Sequence, residues 1–208
     1  MIRKLTKGIL CAALLLSAAG AFAESAAARP AGSRDLRQRS KSEGVDKLTL
    51  LRLTGGISMP SGNLGDGFET GPGLGLSLAY GVSPIVLLST GVGYHHFGAD
   101  GGGADIDIIP VTFNVDAMIP TEGHVRPWVG GGLGLYNVDL EVDTSDPFAG
   151  DDGVSESNAG INFGMGLGGP MGARTTWGAA FRYHHIFEGD TFNDLDFLTF
   201  QFGVGFAL

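Results

Sequence analysis

Hydrophobic and polar positions alternate with a period of two from Lys47 onward. In GPGLGLSLAYG, the large residues Leu74, Leu76 and Leu78 share one face, and the intervening positions hold glycine, serine and alanine. The segments GINFGMGLGG and DFLTFQFGVGFAL repeat this arrangement. Because successive side chains of a strand point to opposite faces, the pattern predicts β-strands along almost the whole chain.

The small-residue face distinguishes these strands from those of a water-soluble sandwich. A soluble sheet carries Lys, Glu and Arg toward water, whereas the second face here carries glycine, alanine, serine and scattered amides. Glycine accounts for 36 of 208 residues, against a usual share of about 7%. Small residues suit the interior of a narrow barrel whose large apolar residues face lipid. The sequence therefore predicts a transmembrane barrel.

We predict an all-β fold: a single eight-stranded antiparallel up-and-down transmembrane β-barrel. Tight connections at residues 81–84, 120–124 and 169–173 alternate with longer, acidic and glycine-rich ones. Short turns on one rim and long loops on the other are typical of outer-membrane barrels, in which the short turns are periplasmic. The expected strands are residues 47–57, 70–81, 85–96, 105–119, 126–139, 158–169, 174–186 and 195–208.

The first 46 residues lack this pattern. A basic start, an apolar run over residues 8–19 and the small-x-small motif Ala21-Phe22-Ala23 indicate a signal peptide over residues 1–23. Its removal would take away Cys11, the only cysteine. Residues 24–46 are rich in Ala, Ser and Arg and are expected to form a flexible periplasmic tail. The barrel domain is then residues 47–208.

A repeat with an offset of 89 residues links the two halves of the predicted barrel. The motif YHHF at Tyr94 returns as YHHI at Tyr183, and the same offset relates Asp107 to Asp196 and Gly75 to Gly164. Strands two to four thus repeat as strands six to eight. We interpret this as a four-plus-four barrel that arose by duplication.

Several segments resemble the small eight-stranded outer-membrane β-barrel domains, the OmpA-like and OmpW-like group. They are ISMPSGNL, GVGYHHF, RPWVGGGLGLY, FRYHHIF and the aromatic last strand, and the resemblance covers residues 47–208. It implies a Gram-negative outer membrane location and recognition by the outer-membrane assembly machinery. Family barrels usually end in Phe or Trp, so the expected assembly signal here consists of Phe202, Phe206 and Leu208.

Charge is distributed unevenly between the two rims. Without Arg3, Lys4 and Lys7, 10 basic and 22 acidic residues remain, and the long loops contain no lysine or arginine. We expect this acidic rim to face lipopolysaccharide, with divalent cations bridging the two sets of anions, because carboxylates are suitable ligands for Ca²⁺ and Mg²⁺. The weak metal candidates, which lack the spacing of a calcium loop, are Asp143, Asp146, Asp151 and Asp152.

Few polar residues are predicted inside the barrel. A charge in a narrow lumen needs a partner, so we expect Arg52 to pair with Asp116, and Arg182 to bond Gln201 or a loop carboxylate. These side chains either fill the lumen or line a narrow path or pocket. The predicted lumenal polar residues are Arg52, Asp116, Arg182, Asn114, Asn162 and Gln201.

The two YHH motifs are expected at the rim, where lipid tails meet headgroups. By strand parity each Tyr and each second His faces outward, and we predict cross-strand pairs of His96 with Asp105 and of Tyr94 with Asp107. The repeat predicts the same for His185 with Asp194 and Tyr183 with Asp196. His95 and His184 face inward on opposite walls, too far apart to share a metal or a substrate atom.

Three classes of function remain open from the sequence. A structural or adhesive outer-membrane barrel without cofactor is the first, and a narrow OmpW-like channel or a binder of small hydrophobic molecules is the second. An enzyme that modifies lipid A is the third, but no nucleophile, base and orienting acid converge, so we expect no catalysis. Nucleic-acid binding has no support, because the folded part carries few cations and a large acidic excess, and we expect a monomer.

Overall fold

The computed structural model describes residues 44–142 and 153–208, which form a closed barrel in the order β1 to β8. Every strand is antiparallel to its neighbours, and β8 pairs with β1 to close the sheet. The predicted eight-stranded fold is therefore confirmed. The elements are β1 (Thr49–Ser61), α1 (Gly62–Gly65), β2 (Gly71–Ser83), β3 (Val86–Gly98), β4 (Ala104–Met118), β5 (Arg126–Val142), β6 (Val154–Pro170), β7 (Thr175–Ile186) and β8 (Leu195–Ala207).

Helical structure in the described residues is limited to α1, and no helix there is long and apolar enough to cross a membrane.

The barrel has two distinct ends. The tight turns, Gly44 and Leu208 lie at one end, which we call the terminal end, and the longer connections lie at the other, the loop end. The signal peptide, most of the predicted tail and the four metal candidates Asp143, Asp146, Asp151 and Asp152 fall outside the described residues. The last tail residues do not: the N–H of Val45 donates to the carbonyl of Pro84 at 3.0 Å. The packed domain therefore includes residues 44–46, earlier than predicted.

Large apolar side chains cover the outside of the barrel between its ends. Leu74, Phe163 and Met165 expose 59%, 58% and 61% of their surface, whereas the inward Ala79 is fully buried. Small inward residues leave room for the strands to close, and at Gly56 a Cβ atom would overlap the carbonyl oxygen of Phe200. The apolar-out, small-in arrangement predicted from the alternation is confirmed over this middle zone.

At the loop end this polarity inverts, which the sequence analysis did not predict. The inward side chains there are large and apolar, while their neighbours Asp105 and Asp107 point outward on β4. The expectation of an interior lined by glycine, alanine, serine and scattered amides does not hold at this end. The inward residues form the loop-end core, which consists of Leu64, Phe97, Ile106, Ile108, Tyr136, Val138, Ile186, Leu195 and Phe197.

A second apolar cluster closes the terminal end. Val45 folds in from the chain preceding β1 and packs with Leu50 and Leu87, which point into the lumen from β1 and β3. The lumen therefore has an apolar layer at each end and polar side chains between them. The terminal-end core consists of Val45, Leu48, Leu50, Ala79 and Leu87.

The 89-residue repeat is preserved in the strand register. His95 lies opposite Gly73 in the β2–β3 pair, and His184 lies opposite Asn162 in the β6–β7 pair, each residue displaced by 89. The β3–β4 and β7–β8 pairs are related in the same way, since His96 opposes Asp107 and His185 opposes Asp196. This register agrees with the interpretation of a duplicated half-barrel.

Candidate functional site

The polar layer of the lumen is organised around Asp116, the only buried carboxylate among the described residues. Arg182 of β7 reaches across the lumen and places Nη2 3.2 Å from one oxygen of Asp116. Arg52 of β1 places Nη2 3.7 Å from the other oxygen. The predicted pair of Arg52 and Asp116 is therefore present, but Arg182 makes the closer contact. Two guanidinium groups share one carboxylate, which leaves this layer with an excess positive charge.

Two amides complete the coordination of Arg182. Its Nη1 donates to Oδ1 of Asn114 at 3.1 Å and also to Oδ1 of Asn162. The guanidinium lies 5.4 Å from the centre of the Trp128 ring, within cation–π range. The prediction that Arg182 bonds Gln201 or a loop carboxylate is wrong. Its long side chain crosses the lumen to β4, a contact that strand parity alone does not reveal.

Two histidines meet in the next layer toward the loop end. The ring centroids of His95 and His184 are 5.9 Å apart, and both rings pack on Phe197, with His184 parallel to it at 4.4 Å. The prediction that opposite walls hold these histidines too far apart to share a metal or a substrate atom is wrong about their separation, because the side chains converge at the centre of the lumen. The hydroxyl oxygen of Tyr136 lies 3.1 Å from Nδ1 of His184.

Ser58 is a polar contact of this layer that the sequence analysis missed. Its hydroxyl oxygen lies 2.7 Å from Nδ1 of His95, and both side chains are buried. The alternation along β1 predicts that Ser58 points into the lumen, but nothing in the sequence indicated its contact with His95 of β3. Among the described hydrogen bonds, none joins His95 to a carboxylate. This serine–histidine pair therefore lacks the orienting acid of a hydrolase.

On the outer surface, each YHH motif forms a cluster with a single aspartate. Nδ1 of His96 lies 2.8 Å from Oδ1 of Asp107, and the hydroxyl of Tyr94 donates to the same oxygen at 2.9 Å. The repeat places His185 and Tyr183 at 2.7 Å and 2.6 Å from Oδ1 of Asp196. The outward direction of Tyr and His is confirmed.

The predicted partner of each histidine was wrong by two residues. His96 opposes Asp107 rather than Asp105, and His185 opposes Asp196 rather than Asp194. The β3–β4 ladder ends at Gly98 and Asp105, because three glycines with positive φ, Gly101 to Gly103, curl the connection and do not extend the sheet. A shift of two residues keeps every side chain on its face, so the predicted faces survived the register error.

These clusters lie where the outer surface changes from apolar to acidic. Within the described residues, no group of three or more His, Cys, Asp or Glu side chains is placed to hold a metal ion. In each cluster, one carboxylate oxygen accepts a hydrogen bond from a tyrosine hydroxyl and lies within hydrogen-bonding distance of an imidazole nitrogen. The geometry therefore fits a structural boundary at the lipid surface, where amphipathic aromatic side chains are enriched.

Beyond this boundary, Glu156 fixes the β7–β8 connection. Its carboxylate accepts hydrogen bonds from the backbone N–H groups of Asp190, Thr191 and Phe192 at 2.6, 3.0 and 3.2 Å. Desolvation alone would raise the pKa of Glu156, but these three donors outweigh it and hold the pKa below its usual value. The connection is thus tied to the outer end of β6.

The model of the outer membrane protein beta-barrel domain family matches residues 9–207 of the chain. Among solved structures, Neisserial surface protein A is similar at a TM-score of 0.61 and 15% identity, covering 80% of this chain and 100% of that one. The N-terminal barrel domain of OprF from Pseudomonas aeruginosa has a TM-score of 0.54 at 16% identity, covering 78% and 98%.

Ail of Yersinia pestis is also similar, with a TM-score of 0.51 at 14% identity and coverage of 78% and 99%. At these low sequence identities, the similarity shows that the fold is shared and no more. No curated protein sequence matches the chain.

Replacing the central carboxylate should destabilise the barrel more than replacing one of its partners. Asp116→Asn leaves Arg52 and Arg182 buried without a counter-charge and should cost about 3–5 kcal/mol in the free energy of unfolding. Arg52→Met leaves Asp116 paired with Arg182 and should cost less than half as much. Urea unfolding in lipid vesicles measures both.

The exposed Asp105 on the same strand provides a control, since Asp105→Asn should change the stability by less than about 0.5 kcal/mol. Equal losses for Asp116→Asn and Arg52→Met would contradict the assignment of Asp116 as the shared counter-ion.

Proposed function

The chain belongs to the outer membrane protein beta-barrel domain family, and we propose that it acts as a sealed, non-catalytic barrel that presents an acidic surface outside the outer membrane. In this role the barrel anchors and stabilises the envelope or supports adhesion. The alternatives are a narrow channel or binder of small hydrophobic molecules, and an enzyme that modifies lipid A; the experiments below would detect them.

The observation that carries this proposal is the loop-end core. Phe97 and Phe197 are fully buried and their rings pack edge to face, with centroids 5.7 Å apart. Ile108, Tyr136 and Ile186 are also fully buried in this layer, and Leu64 of α1 adds to it from above. An apolar layer of this density gives ions no polar path, since moving a charge through it without partners is costly.

Strand length supports an exposed platform above the membrane. A transmembrane β-strand needs about 9–11 residues, whereas β5 and β6 have 17 each. At about 3.3 Å per residue and a tilt of about 40°, the surplus reaches roughly 15 Å beyond the lipid. The inverted polarity of the loop end is what such a water-exposed extension requires, with an apolar interior and a charged exterior.

The acidic exterior suggests how this platform contacts its surroundings. The connections at the loop end contain no lysine or arginine in the printed sequence. Ail has been solved in complex with the heparin analogue sucrose octasulfate, but a polyanion of that kind would meet carboxylates here. We therefore propose that divalent cations bridge these carboxylates to lipopolysaccharide phosphates. A monomeric barrel that is inserted by the assembly machinery through its aromatic last strand completes this proposal.

The lumen should be closed to ions and reagents. The native protein should give no conductance steps in planar bilayers. In the background of Ser58→Cys, a hydrophilic thiol reagent added from the loop side should react slowly, because Ser58 is buried beneath the loop-end core. Adding Phe97→Ala and Phe197→Ala should accelerate labelling by about tenfold or more, because thiol reactivity follows exposure.

Two controls accompany this measurement. Ser157→Cys lies on the exposed part of β6 and should react rapidly with or without the two phenylalanines, and the lipid-facing Phe163→Ala should not affect labelling at position 58. Stable conductance steps from the native protein would favour the channel instead, and a change in lipid A mass on expression would favour an enzyme.

Removing divalent cations should weaken the association with lipopolysaccharide. Chelation of Mg²⁺ and Ca²⁺ would expose the acidic rim and the lipid phosphates to mutual repulsion, which is strongest at low salt. The amount of lipopolysaccharide that co-purifies with the protein should fall on addition of EDTA and recover with Mg²⁺. Co-purification that is indifferent to EDTA would contradict cation bridging.

A further inference from the structure

A cavity of about 160 Å³ lies in the lumen between the polar layer and the terminal end. Glycine and alanine line it on β6, β7 and β8 together with the polar residues Thr176 and Gln201, while apolar side chains face it from β1, β3, β4 and β5. Eight-stranded barrels are normally filled by their own side chains, so the small residues of one wall are what leave this space. The wall includes Gly168, Gly178, Ala180 and Gly203, and the apolar face includes Leu50, Leu87, Met118 and Trp128.

The charge of the cavity is positive. Arg52 and Arg126 line it, and none of the described lining residues is an Asp or Glu. The nearby Asp116 is closer to Arg182, at 3.2 Å, than to Arg52, at 3.7 Å. Arg52, which lies farther from this carboxylate than Arg182 does, is therefore the arginine that lines the cavity.

Arg52 also has a donor without a partner. Its Nη2 faces Asp116, but its Nε is buried and makes no hydrogen bond within the described structure. About 24% of the Arg52 side chain is accessible. Since Arg52 lines the cavity, this accessible part faces the empty space. The Nε atom itself is enclosed by protein atoms, so an anionic ligand in the cavity would contact the accessible part of the side chain.

Arg126 provides a second donor of the same kind. It begins β5 at the terminal end, lines the cavity, and its Nε is likewise buried without a hydrogen bond within the described structure. A guanidinium near the mouth of the cavity would attract an anion toward Arg52. Two arginines beside an apolar face specify both ends of a ligand.

We propose that this cavity binds a small monocarboxylate with an apolar body about the size of a benzene ring. The carboxylate lies against the accessible part of the Arg52 side chain, where guanidinium N–H groups can donate charge-assisted hydrogen bonds to it. The body packs between Trp128 and the aliphatic side chains of Leu50 and Met118. The size follows from the volume, since an engineered apolar cavity of about 150 Å³ in another protein holds benzene.

Two other occupants fit less well. Residues 24–43 of the chain precede the cavity in sequence, but they carry five basic and three acidic residues and would bring more positive charge to the arginines. An inorganic anion would satisfy Arg52 but leave the apolar face uncovered. The site is independent of the proposed sealed loop end, because the cavity lies on the other side of the polar layer.

Titration of the full chain with benzoate, in zwitterionic detergent, tests the proposal. The chain has two tryptophans, and the variant Trp177→Phe assigns the indole N–H resonance of Trp128. That resonance should shift saturably with benzoate. Benzamide, which has nearly the same shape without the charge, should bind at least about tenfold more weakly, because it lacks the charge-assisted bonds to arginine. Inorganic phosphate should compete at least about tenfold more weakly than benzoate binds, because it leaves the apolar face uncovered.

Three variants separate the contributions. Arg52→Met should weaken benzoate binding by about tenfold or more, because the charged partner is lost. Gly178→Leu should abolish it by filling the cavity, and a Cβ at this position meets only the carbonyl oxygen of Leu167 at 3.6 Å, so the barrel should still form. Arg174→Gln should have no effect, since Arg174 lies at the same end but does not line the cavity.

Each opposite result would overturn the proposal. Absence of a saturable shift in the native chain would exclude the site. Unchanged binding in Arg52→Met would remove the role of the arginine. Phosphate that competes as well as benzoate would show that only the negative charge is recognised. Benzamide that binds as tightly as benzoate would show that only the apolar body is recognised. A site that appears only when residues 24–43 are deleted would identify that segment as the occupant.

Discussion

The interaction of Asp116 with two arginines is the constraint around which the rest of the lumen is arranged. A carboxylate in a narrow barrel needs a counter-charge, and Arg182 and Arg52 supply it from β7 and β1. Long side chains that cross the lumen need space, and glycines on the neighbouring strands provide it. A Cβ at Gly130 would overlap Oδ1 of Asp116, and one at Gly164 would lie 3.2 Å from Arg182. The glycines beside these side chains therefore provide the space that the buried ion pairs occupy.

The barrel combines two opposite solvation patterns along its axis. In the lipid zone the apolar side chains face out, whereas in the loop-end core they face in and the carboxylates face water. The change occurs at the two clusters of Tyr, His and Asp, which satisfy one carboxylate each at the boundary. A protein built in this way holds a small soluble barrel above a membrane-embedded one. That arrangement is the basis of the proposed surface role, and the cavity near Arg52 lies at the other end of the lumen.

Sequence patterns predicted the features that depend on strand parity. Eight strands, the lipid-facing side and the outward direction of Tyr94 and Tyr183 follow from a period of two, which is insensitive to small register errors. Features that depend on distances across the lumen were not predictable in this way: Arg182 reaches β4, Ser58 meets His95, and the two inward histidines converge. The loop-end core did leave a signal, because Asp105 and Asp107 alternate with Ile106 and Ile108. If these aspartates face outward, the alternation along the strand requires the isoleucines to face inward.

The most direct test of this account is a double-mutant cycle between Asp116 and Arg182. The free energies of unfolding of Asp116→Asn, Arg182→Met, the double variant and the native protein are measured in the same lipid vesicles. If the pair organises the lumen, the loss in the double variant should be smaller than the sum of the single losses, with a coupling of about 1–3 kcal/mol. A coupling near zero would show that the two residues contribute independently, and it would contradict the central place of this ion pair.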